Sequence, residues 1–150
     1  MINLNLEAEP ASRQRWMIVD DNKDILTLMR TVIARCADVD IQCFHSPQAA
    51  LATFTSTPKA FDLVITDLEM PDMSGIELSS RLWKLSPTVK VLLSTGSEIL
   101  TDTEARQKGF CGMLRKPFLI ASLRRALEAA GVLKATEKNN SQSSAALTAA

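Results

Sequence analysis

Short apolar runs alternate along this chain with longer stretches in which apolar residues recur every three or four positions. A short apolar run is typical of a β-strand, whereas the wider spacing indicates an amphipathic helix. Five runs predict strands, at residues 16–19, 41–44, 61–67, 89–95 and 110–114. Each predicted strand is followed by a predicted helix. The first and last helices have the clearest apolar faces, formed by Ile25, Leu28, Met29, Val32, Ile33 and Cys36 and by Leu119, Leu123, Ala126, Leu127 and Ala130.

Several predicted helices carry residues that favour a helix start or stop. Ser46 can cap the second helix, with Pro47 at its first position. A serine or threonine followed three residues later by glutamate predicts a capping box, and glycine commonly ends a helix. Such signals predict capping boxes at Ser74–Glu77 and Thr101–Glu104 and helix ends at Gly109 and Gly131.

The fourth predicted helix, residues 98–108, has the weakest apolar face. Its apolar residues are Ile99, Leu100 and Ala105. We expect thin packing and an adjustable position, although an ordinary surface helix has the same pattern.

Five strands that alternate with helices predict an α/β fold. Parallel strands need crossover connections, which are usually helices, so the sheet should be parallel and doubly wound, with five helices over its two faces. The first, third and fourth predicted strands are apolar almost throughout. This is typical of strands that are covered on both sides.

Composition restricts the class of protein. The 150 residues are 46% hydrophobic and 23% charged, with 17 basic and 17 acidic side chains. One domain is expected at residues 15–131, between a flexible lead at 1–14 and a polar tail at 132–150. The zero net charge argues against direct nucleic-acid binding, and no apolar run is long enough to span a membrane. With no basic signal region at the start and three scattered cysteines, a cytoplasmic protein with reduced thiols is expected.

Polar residues follow four of the predicted strands at the points where they end. Asp20 and Asp21 follow the first strand, Asp67 ends the third, Thr95 the fourth, and Lys116 follows the fifth. Ligands of open α/β sheets bind beyond the carboxyl ends of the strands. Three carboxylates placed there together repel one another, and a divalent cation removes that repulsion. The all-oxygen set predicts Mg²⁺, or Mn²⁺ in its place.

This set of residues suits phosphoryl chemistry. An aspartate beside Mg²⁺ and a lysine is a competent nucleophile toward phosphorus, and transfer needs mainly positioning and charge neutralisation. Asp67 is the candidate nucleophile, while Lys116 and Thr95 can bind phosphoryl oxygens. Taken singly, each residue has a simpler interpretation, since Asp20 or Asp21 could cap a helix and the others could be ordinary strand-end polar residues.

The chain resembles the receiver domains of two-component response regulators over about residues 15–131. The matching motifs are VDD ending at Asp21, DLEMPDMSG from Asp67 to Gly75, STG around Thr95, and KPF starting at Lys116. The resemblance implies a flavodoxin-like fold with strand order 2-1-3-4-5.

The resemblance also implies roles for the site residues. Asp67 would accept a phosphoryl group from a phosphohistidine of a sensor histidine kinase or histidine phosphotransfer protein. Asp21 and Asp67 would bind Mg²⁺ directly with the backbone carbonyl of Glu69, and Asp20 would act largely through water. Thr95 and Lys116 would hold the phosphoryl oxygens, and the Lys116–Pro117 bond would be cis.

Receivers of this family switch a protein-binding surface when the threonine and an aromatic residue three positions before the lysine move. Those positions are Thr95 and Met113 here, so the aromatic half of the switch is altered. Glu69 and Ser97 would flank the water that hydrolyses the aspartyl-phosphate, and we hypothesise that the Glu69 carboxylate slows or reorients it. The protein would be a signalling receiver, not an enzyme, that catalyses only its own phosphorylation and slow dephosphorylation.

Several alternatives stay open at this stage. The chain could be a free-standing regulator, the C-terminal receiver of a hybrid histidine kinase, or a pseudo-receiver that binds a partner without phosphorylation. A flavodoxin-like electron carrier is disfavoured by the acidic residues after the first strand, and an aspartyl-phosphate hydrolase by the absence of the rest of its motif. We expect a downstream protein partner and no membrane contact, and a homodimer is a further possibility. Few residues follow Gly131, so no effector domain is expected, and His45, Trp16 and Trp83 are expected to have no direct role.

Overall fold

A computed structural model describes residues 12–134 and contains five parallel strands and five helices. The strands are β1 (Arg15–Val19), β2 (Asp40–Phe44), β3 (Leu63–Asp67), β4 (Lys90–Thr95) and β5 (Gly112–Arg115). The helices are α1 (Lys23–Cys36), α2 (Pro47–Ser56), α3 (Gly75–Leu85), α4 (Asp102–Gln107) and α5 (Ile120–Ala129). Every strand is followed by a helix, as the alternating pattern predicts.

The five strands form one sheet in the order β2-β1-β3-β4-β5, and every neighbouring pair is parallel. The predicted α/β class and the order implied by the resemblance are both confirmed. In this register Asp67 lies opposite Ser94, and Thr95 lies opposite Arg115. Since all strands point the same way, the residues that follow them meet at one edge.

Two apolar clusters cover the two faces of the sheet. On one face, Phe54 of α2 and Leu78 and Leu82 of α3 are fully buried. On the other, α1 and α5 pack against Trp16, which is also fully buried. Burial on both sides explains why the central strands are apolar without alternation.

Most predicted helix ends are confirmed. The Ser46 side chain caps α2, and Thr101 and Glu104 form the expected capping box at α4. Gly109 and Gly131 end their segments at positive φ, a backbone conformation that a side chain disfavours.

The capping box expected at Ser74–Glu77 forms only in part. The Ser74 hydroxyl accepts from the backbone N–H of Glu77 at 3.1 Å, whereas the Glu77 carboxylate pairs with Arg81 at 2.8 Å. The Glu77 side chain therefore strengthens the exposed face of α3 instead of closing its first turn.

The predicted apolar face of α1 is wrong at Leu28. Leu28 is 48% exposed, and Leu26 is buried in its place beside Met29 and Ile33. Successive residues of a helix are about 100° apart, so Leu28 projects away from the sheet once Met29 faces it. The prediction for α5 is wrong at Leu119, which is the residue before the helix and is 72% exposed.

The boundaries of several elements also differ from the prediction. The fourth helix begins at Asp102 rather than residue 98, because the capping box at Thr101 fixes its first turn. Ala105 is its one buried residue, which agrees with the thin packing expected for this helix. Strand β3 begins at Leu63 rather than residue 61, and β5 spans Gly112–Arg115 rather than 110–114.

The predicted lead at residues 1–14 and tail at 132–150 lie mostly outside the described residues. In the described part, the backbone carbonyl of Gln14 accepts from the N–H of Asp40, and Val132 and Leu133 are partly buried against the α1 and α5 cluster. Among residues 12–134, no helix has the length and apolar character needed to cross a bilayer.

Candidate functional site

Three carboxylates converge at the carboxyl edge of the sheet. Asp20 and Asp21 directly follow β1, and Asp67 is the last residue of β3. One oxygen from each of the three lies within 4.8 Å of the others. Asp20 and Asp67 are buried, while Asp21 is exposed to solvent. The structure therefore brings together the three acidic residues that the sequence singled out.

The loop after β1 shows that Asp20 is not a helix cap. Its carboxylate accepts a hydrogen bond from the backbone N–H of Asn22 at 2.9 Å. Asn22 is the residue that caps α1, through bonds from the backbone N–H groups of Asp24 and Ile25. Because Asn22 performs the capping, the carboxylates of Asp20 and Asp21 remain available to the site.

Gly75 sets the shape of the loop that follows Asp67. Its backbone N–H donates to the carbonyl of Leu68 at 2.8 Å. A Cβ atom at Gly75 would lie 2.1 Å from the backbone carbonyl oxygen of Asp67. Only glycine permits this close approach, so the loop can fold back on the backbone of Asp67 only because position 75 has no side chain.

Lys116 lies between two of the carboxylates. Its Nζ is 2.6 Å from Oδ2 of Asp20 and 3.4 Å from Oδ1 of Asp67. Its backbone N–H donates to the carbonyl of Thr95 at 2.8 Å, and the Lys116–Pro117 peptide bond is cis, as the resemblance implied. The ammonium group can therefore reach any group attached to Asp67.

Burial raises the pKa of the Asp67 carboxyl above its ordinary value, and the neighbouring carboxylate of Asp20 raises that pKa further. The ammonium of Lys116 and the backbone N–H of Glu69 act in the opposite direction but do not cancel the effect. Three carboxylates with one ammonium leave excess negative charge at this edge. Carboxylate oxygens at this spacing fit a hard divalent cation, with Mg²⁺ as the natural choice.

Thr95 is fully buried at the end of β4, and its hydroxyl has a defined partner. Its Oγ1 accepts from the backbone N–H of Ser97 at 2.9 Å. An oxygen that accepts one hydrogen bond still carries its own proton, so the hydroxyl can donate to a further acceptor. Met113 is partly buried against the α2 and α3 cluster, and Glu69 is exposed in the loop after β3.

Sequence reasoning did not find a role for Arg115. Arg115 and Lys116 are adjacent basic residues, but their side chains have different partners. The Arg115 guanidinium donates to the backbone carbonyls of Ser97 at 2.8 Å and Leu100 at 2.7 Å. Alternation along β5 could have placed Arg115 on the face of Met113, but carbonyl acceptors leave no signal in a sequence.

None of the weaker candidates belongs to the acidic cluster. Trp16 is fully buried, and Trp83 is partly buried with its ring edge against Phe110. The indole N–H of Trp83 donates to the carbonyl of Val89. His45 is exposed at the end of β2. Both tryptophans are packing residues, as expected.

The sequence profile of the response regulator receiver domain matches residues 16–128. The chain belongs to this family of two-component signalling domains. The two-component response regulator ARR10 of Arabidopsis thaliana is 30% identical over 110 residues, which are 73% of this chain and 20% of the plant protein. A response regulator receiver protein of Anaeromyxobacter sp. (strain Fw109-5) is 30% identical over 109 residues, 71% of this chain and 44% of that protein. The receiver chain thus spans a fifth of one relative and less than half of the other.

Solved structures show the same fold. A response regulator receiver domain protein from Clostridium thermocellum has a TM-score of 0.71 at 27% identity, over 78% of this chain and 93% of that chain. The chemotaxis protein CheY4 of Vibrio cholerae has a TM-score of 0.69 at 23% identity, over 79% and 99% of the two chains. The acidic residues of this receiver therefore lie at one edge of a sheet of the same fold as the sheets of other receivers.

Proposed function

We propose that Asp67 accepts a phosphoryl group from a phosphohistidine of a sensor histidine kinase or histidine phosphotransfer protein. The observation that carries this proposal is the convergence of Asp20, Asp21, Asp67 and Lys116 at one edge of the sheet. Asp67 is the one member of the acidic set that ends a strand, and its carboxylate is within 3.4 Å of a cation.

Asp21 and Asp67 would hold the divalent cation directly, together with the backbone carbonyl of Glu69, and Asp20 would contribute through water. Mg²⁺ bound there, or Mn²⁺, supplies positive charge that offsets the negative charge of the carboxylates and of the incoming phosphoryl oxygens. Both carboxylate oxygens of Asp20 already have partners, the backbone N–H of Asn22 and the ammonium of Lys116, which supports an indirect role for Asp20.

The chemical step exchanges one bond to phosphorus for another. A carboxylate oxygen of Asp67 forms the new P–O bond as the P–N bond to the histidine breaks, and the imidazole leaves with that electron pair. Lys116 neutralises a phosphoryl oxygen from one side, and the Thr95 hydroxyl donates its proton in a hydrogen bond to another. Both residues act by position and charge, and no other covalent bond changes.

The phosphorylated receiver would signal by changing a protein-binding surface, in the cytoplasm and without direct contact with nucleic acid or membrane. Movement at Thr95 would start this change, and Met113 would have to act where other receivers use an aromatic ring. The same chemistry would serve a free-standing regulator or a receiver module within a hybrid histidine kinase.

Incubation with acetyl phosphate and Mg²⁺, followed by intact-mass measurement, tests the proposal. The wild-type receiver should gain the mass of one phosphoryl group, and Asp67→Asn should gain none. Asp72→Asn is the matched control, because Asp72 is exposed in the same loop and its positive φ suits asparagine. If the wild-type protein gains no mass with the metal present, or if Asp67→Asn still does, the proposal is wrong.

A further inference from the structure

Arg115 makes a two-pronged contact with one loop. It is the last residue of β5 and directly precedes Lys116. Its Nη1 donates to the carbonyl of Ser97 at 2.8 Å, and its Nη2 donates to the carbonyl of Leu100 at 2.7 Å. These two carbonyls are three residues apart in the β4–α4 loop (residues 96–100), so one planar guanidinium spans most of that loop.

No described acidic residue forms an ion pair with Arg115. The side chain is exposed, and both of its hydrogen bonds end on backbone carbonyls. Hydrogen bonds from a charged donor are stronger than neutral ones. The contact therefore fixes backbone positions, which is a different task from balancing a surface charge.

Ser97 joins this contact to the acidic site. Its carbonyl accepts from Arg115, and its backbone N–H donates to Oγ1 of Thr95 at 2.9 Å. Its hydroxyl accepts from the N–H of Ile99 at 3.2 Å, which stabilises the loop locally. A displacement of Ser97 would move the donor that orients the Thr95 hydroxyl.

The far end of the loop has independent support. Leu100 is 6% exposed and packs in the α2 and α3 cluster, and the next residue, Thr101, begins the capping box of α4. The Nη2 group of Arg115 thus donates to a carbonyl, that of Leu100, whose position is fixed by packing. With Leu100 anchored, the guanidinium can hold Ser97 in place relative to β5 and Lys116.

We propose that Arg115 is a positioning residue for phosphoryl acceptance, which orients the Thr95 hydroxyl by holding Ser97. This inference rests on the proposed function of Asp67 and Thr95. Met113 lies on the same face of β5, two residues before Arg115, and has no polar hydrogen to donate. Arg115 therefore supplies the polar link between β5 and the β4–α4 loop, and its loss leaves the Thr95 hydroxyl free to turn away from the phosphoryl group.

A double-mutant cycle with Thr95→Val tests whether Arg115 acts through Thr95. Arg115→Ala should slow phosphoryl uptake from acetyl phosphate about fivefold, with the Mg²⁺ affinity measured by calorimetry unchanged. In the Thr95→Val background the same Arg115→Ala substitution should have almost no further effect, since the hydroxyl is already absent. A full fivefold loss in that background, or an unchanged rate in the single variant, would overturn the proposal.

Two further variants separate geometry from charge. Arg115→Lys keeps the charge but loses the fork, so it should behave like Arg115→Ala. Arg125→Ala removes an exposed arginine whose hydrogen bond stays within α5, and it should leave the rate unchanged. If Arg125→Ala lowers the rate as much as Arg115→Ala does, the effect of Arg115→Ala comes from the loss of charge alone, which would contradict the proposal.

Hydrogen exchange in the unphosphorylated protein tests the contact of Arg115 with Ser97 independently of the proposed function. The Ser97 and Ile99 amides should exchange faster in Arg115→Ala, while amides of β2 should not change. If the wild-type protein accepts no phosphoryl group, the proposed function is wrong. The effect of Arg115 on the position of Ser97 is then judged from amide exchange and from the NMR resonance of the Thr95 methyl group. Unchanged exchange at Ser97 would overturn the role of Arg115 in either case.

Discussion

Lys116 lies closer to Asp20 than to Asp67, with Nζ–O distances of 2.6 Å and 3.4 Å. Asp20 is almost fully buried, so its carboxylate depends on this ammonium for charge compensation. Asp67 is already the second anionic partner of this ammonium, and a phosphoryl group attached to Asp67 would add negative charge near the same ammonium. Lys116 thus compensates the buried charge of Asp20 and remains within reach of the proposed product.

Lys116→Met should separate metal binding from phosphoryl transfer. Without the ammonium, the site is more negative, so its Mg²⁺ affinity should rise severalfold in calorimetry. Phosphoryl uptake should fall by about 100-fold or more, because a preorganised charge that stabilises the transferring group is lost. Lys59→Met, which removes an exposed lysine from the loop after α2, is the control. Normal phosphoryl uptake by Lys116→Met would show that Lys116 takes no part in phosphoryl transfer.

The contribution of Asp67 to the pH dependence of stability should reverse sign when Mg²⁺ is added. The pKa of Asp67 is raised in the folded protein, so the neutral carboxyl is favoured there. The corresponding stability is present below the ordinary carboxyl pKa and is lost as the pH rises through the raised value. In the metal-free protein, Asp67→Asn should therefore raise the melting temperature at neutral pH, whereas Asp72→Asn should not.

Added Mg²⁺ would bind the ionised carboxylates, so its stabilising effect should grow over the same rise in pH. Thermal unfolding with and without chelator, at several pH values, measures both trends. A metal-free protein in which ionisation of Asp67 increases stability would contradict the assigned direction of the pKa shift.

Glu69→Ala should shorten the lifetime of the aspartyl-phosphate. Glu69 is exposed in the loop after β3, two residues from Asp67, where a carboxylate can slow or reorient an attacking water. We expect an increase of about threefold in the autodephosphorylation rate, measured as phosphate release. Glu98→Ala removes an exposed carboxylate from the neighbouring β4–α4 loop and should have no effect. Equal rates for wild type and Glu69→Ala would refute the hypothesis.

Gly75→Ala should destabilise the receiver, and Gly96→Ala should not. An alanine Cβ at position 75 would lie 2.1 Å from the carbonyl oxygen of Asp67, whereas at position 96 the nearest side-chain atom is 3.9 Å away. The first substitution forces the backbone apart and should cost about 2 kcal/mol or more. Urea unfolding of the two variants provides the comparison, and similar midpoints would show that the loop after β3 can relax.

Ser94→Ala and Ser79→Ala should have opposite effects on stability. Ser94 Oγ is the one buried side-chain polar atom among residues 12–134 that lacks a hydrogen-bond partner. Ser79 Oγ, equally buried, donates to the carbonyl of Gly75 at 2.6 Å. Removal of the unpartnered hydroxyl should be neutral or stabilising, while loss of the satisfied one should cost about 1 kcal/mol. A clear destabilisation by Ser94→Ala would show that this hydroxyl has a partner in solution.

Local sequence patterns predicted most of the architecture. All five strands and five helices occur where apolar periodicity placed them, because each element must bury one face or both to be stable. The errors concern direction and ends. Leu28 is apolar but exposed, because the orientation of α1 against the sheet decides which of its apolar residues are covered, and Leu119 is exposed because it precedes α5. Helix α4 begins where its capping box places the first turn, and not where its apolar residues begin.

The amino-acid sequence by itself determined the candidate site, because parallel strands deliver Asp20, Asp21, Asp67 and Lys116 to one edge whatever the details of packing. Only the tertiary structure decided how those charges are shared, with Lys116 nearer to Asp20 and Asn22 taking the role of helix cap. It also decided the contact of Arg115 with the β4–α4 loop. Backbone carbonyls are present at every residue, so the choice of acceptor is made by three-dimensional position and leaves no trace in residue type.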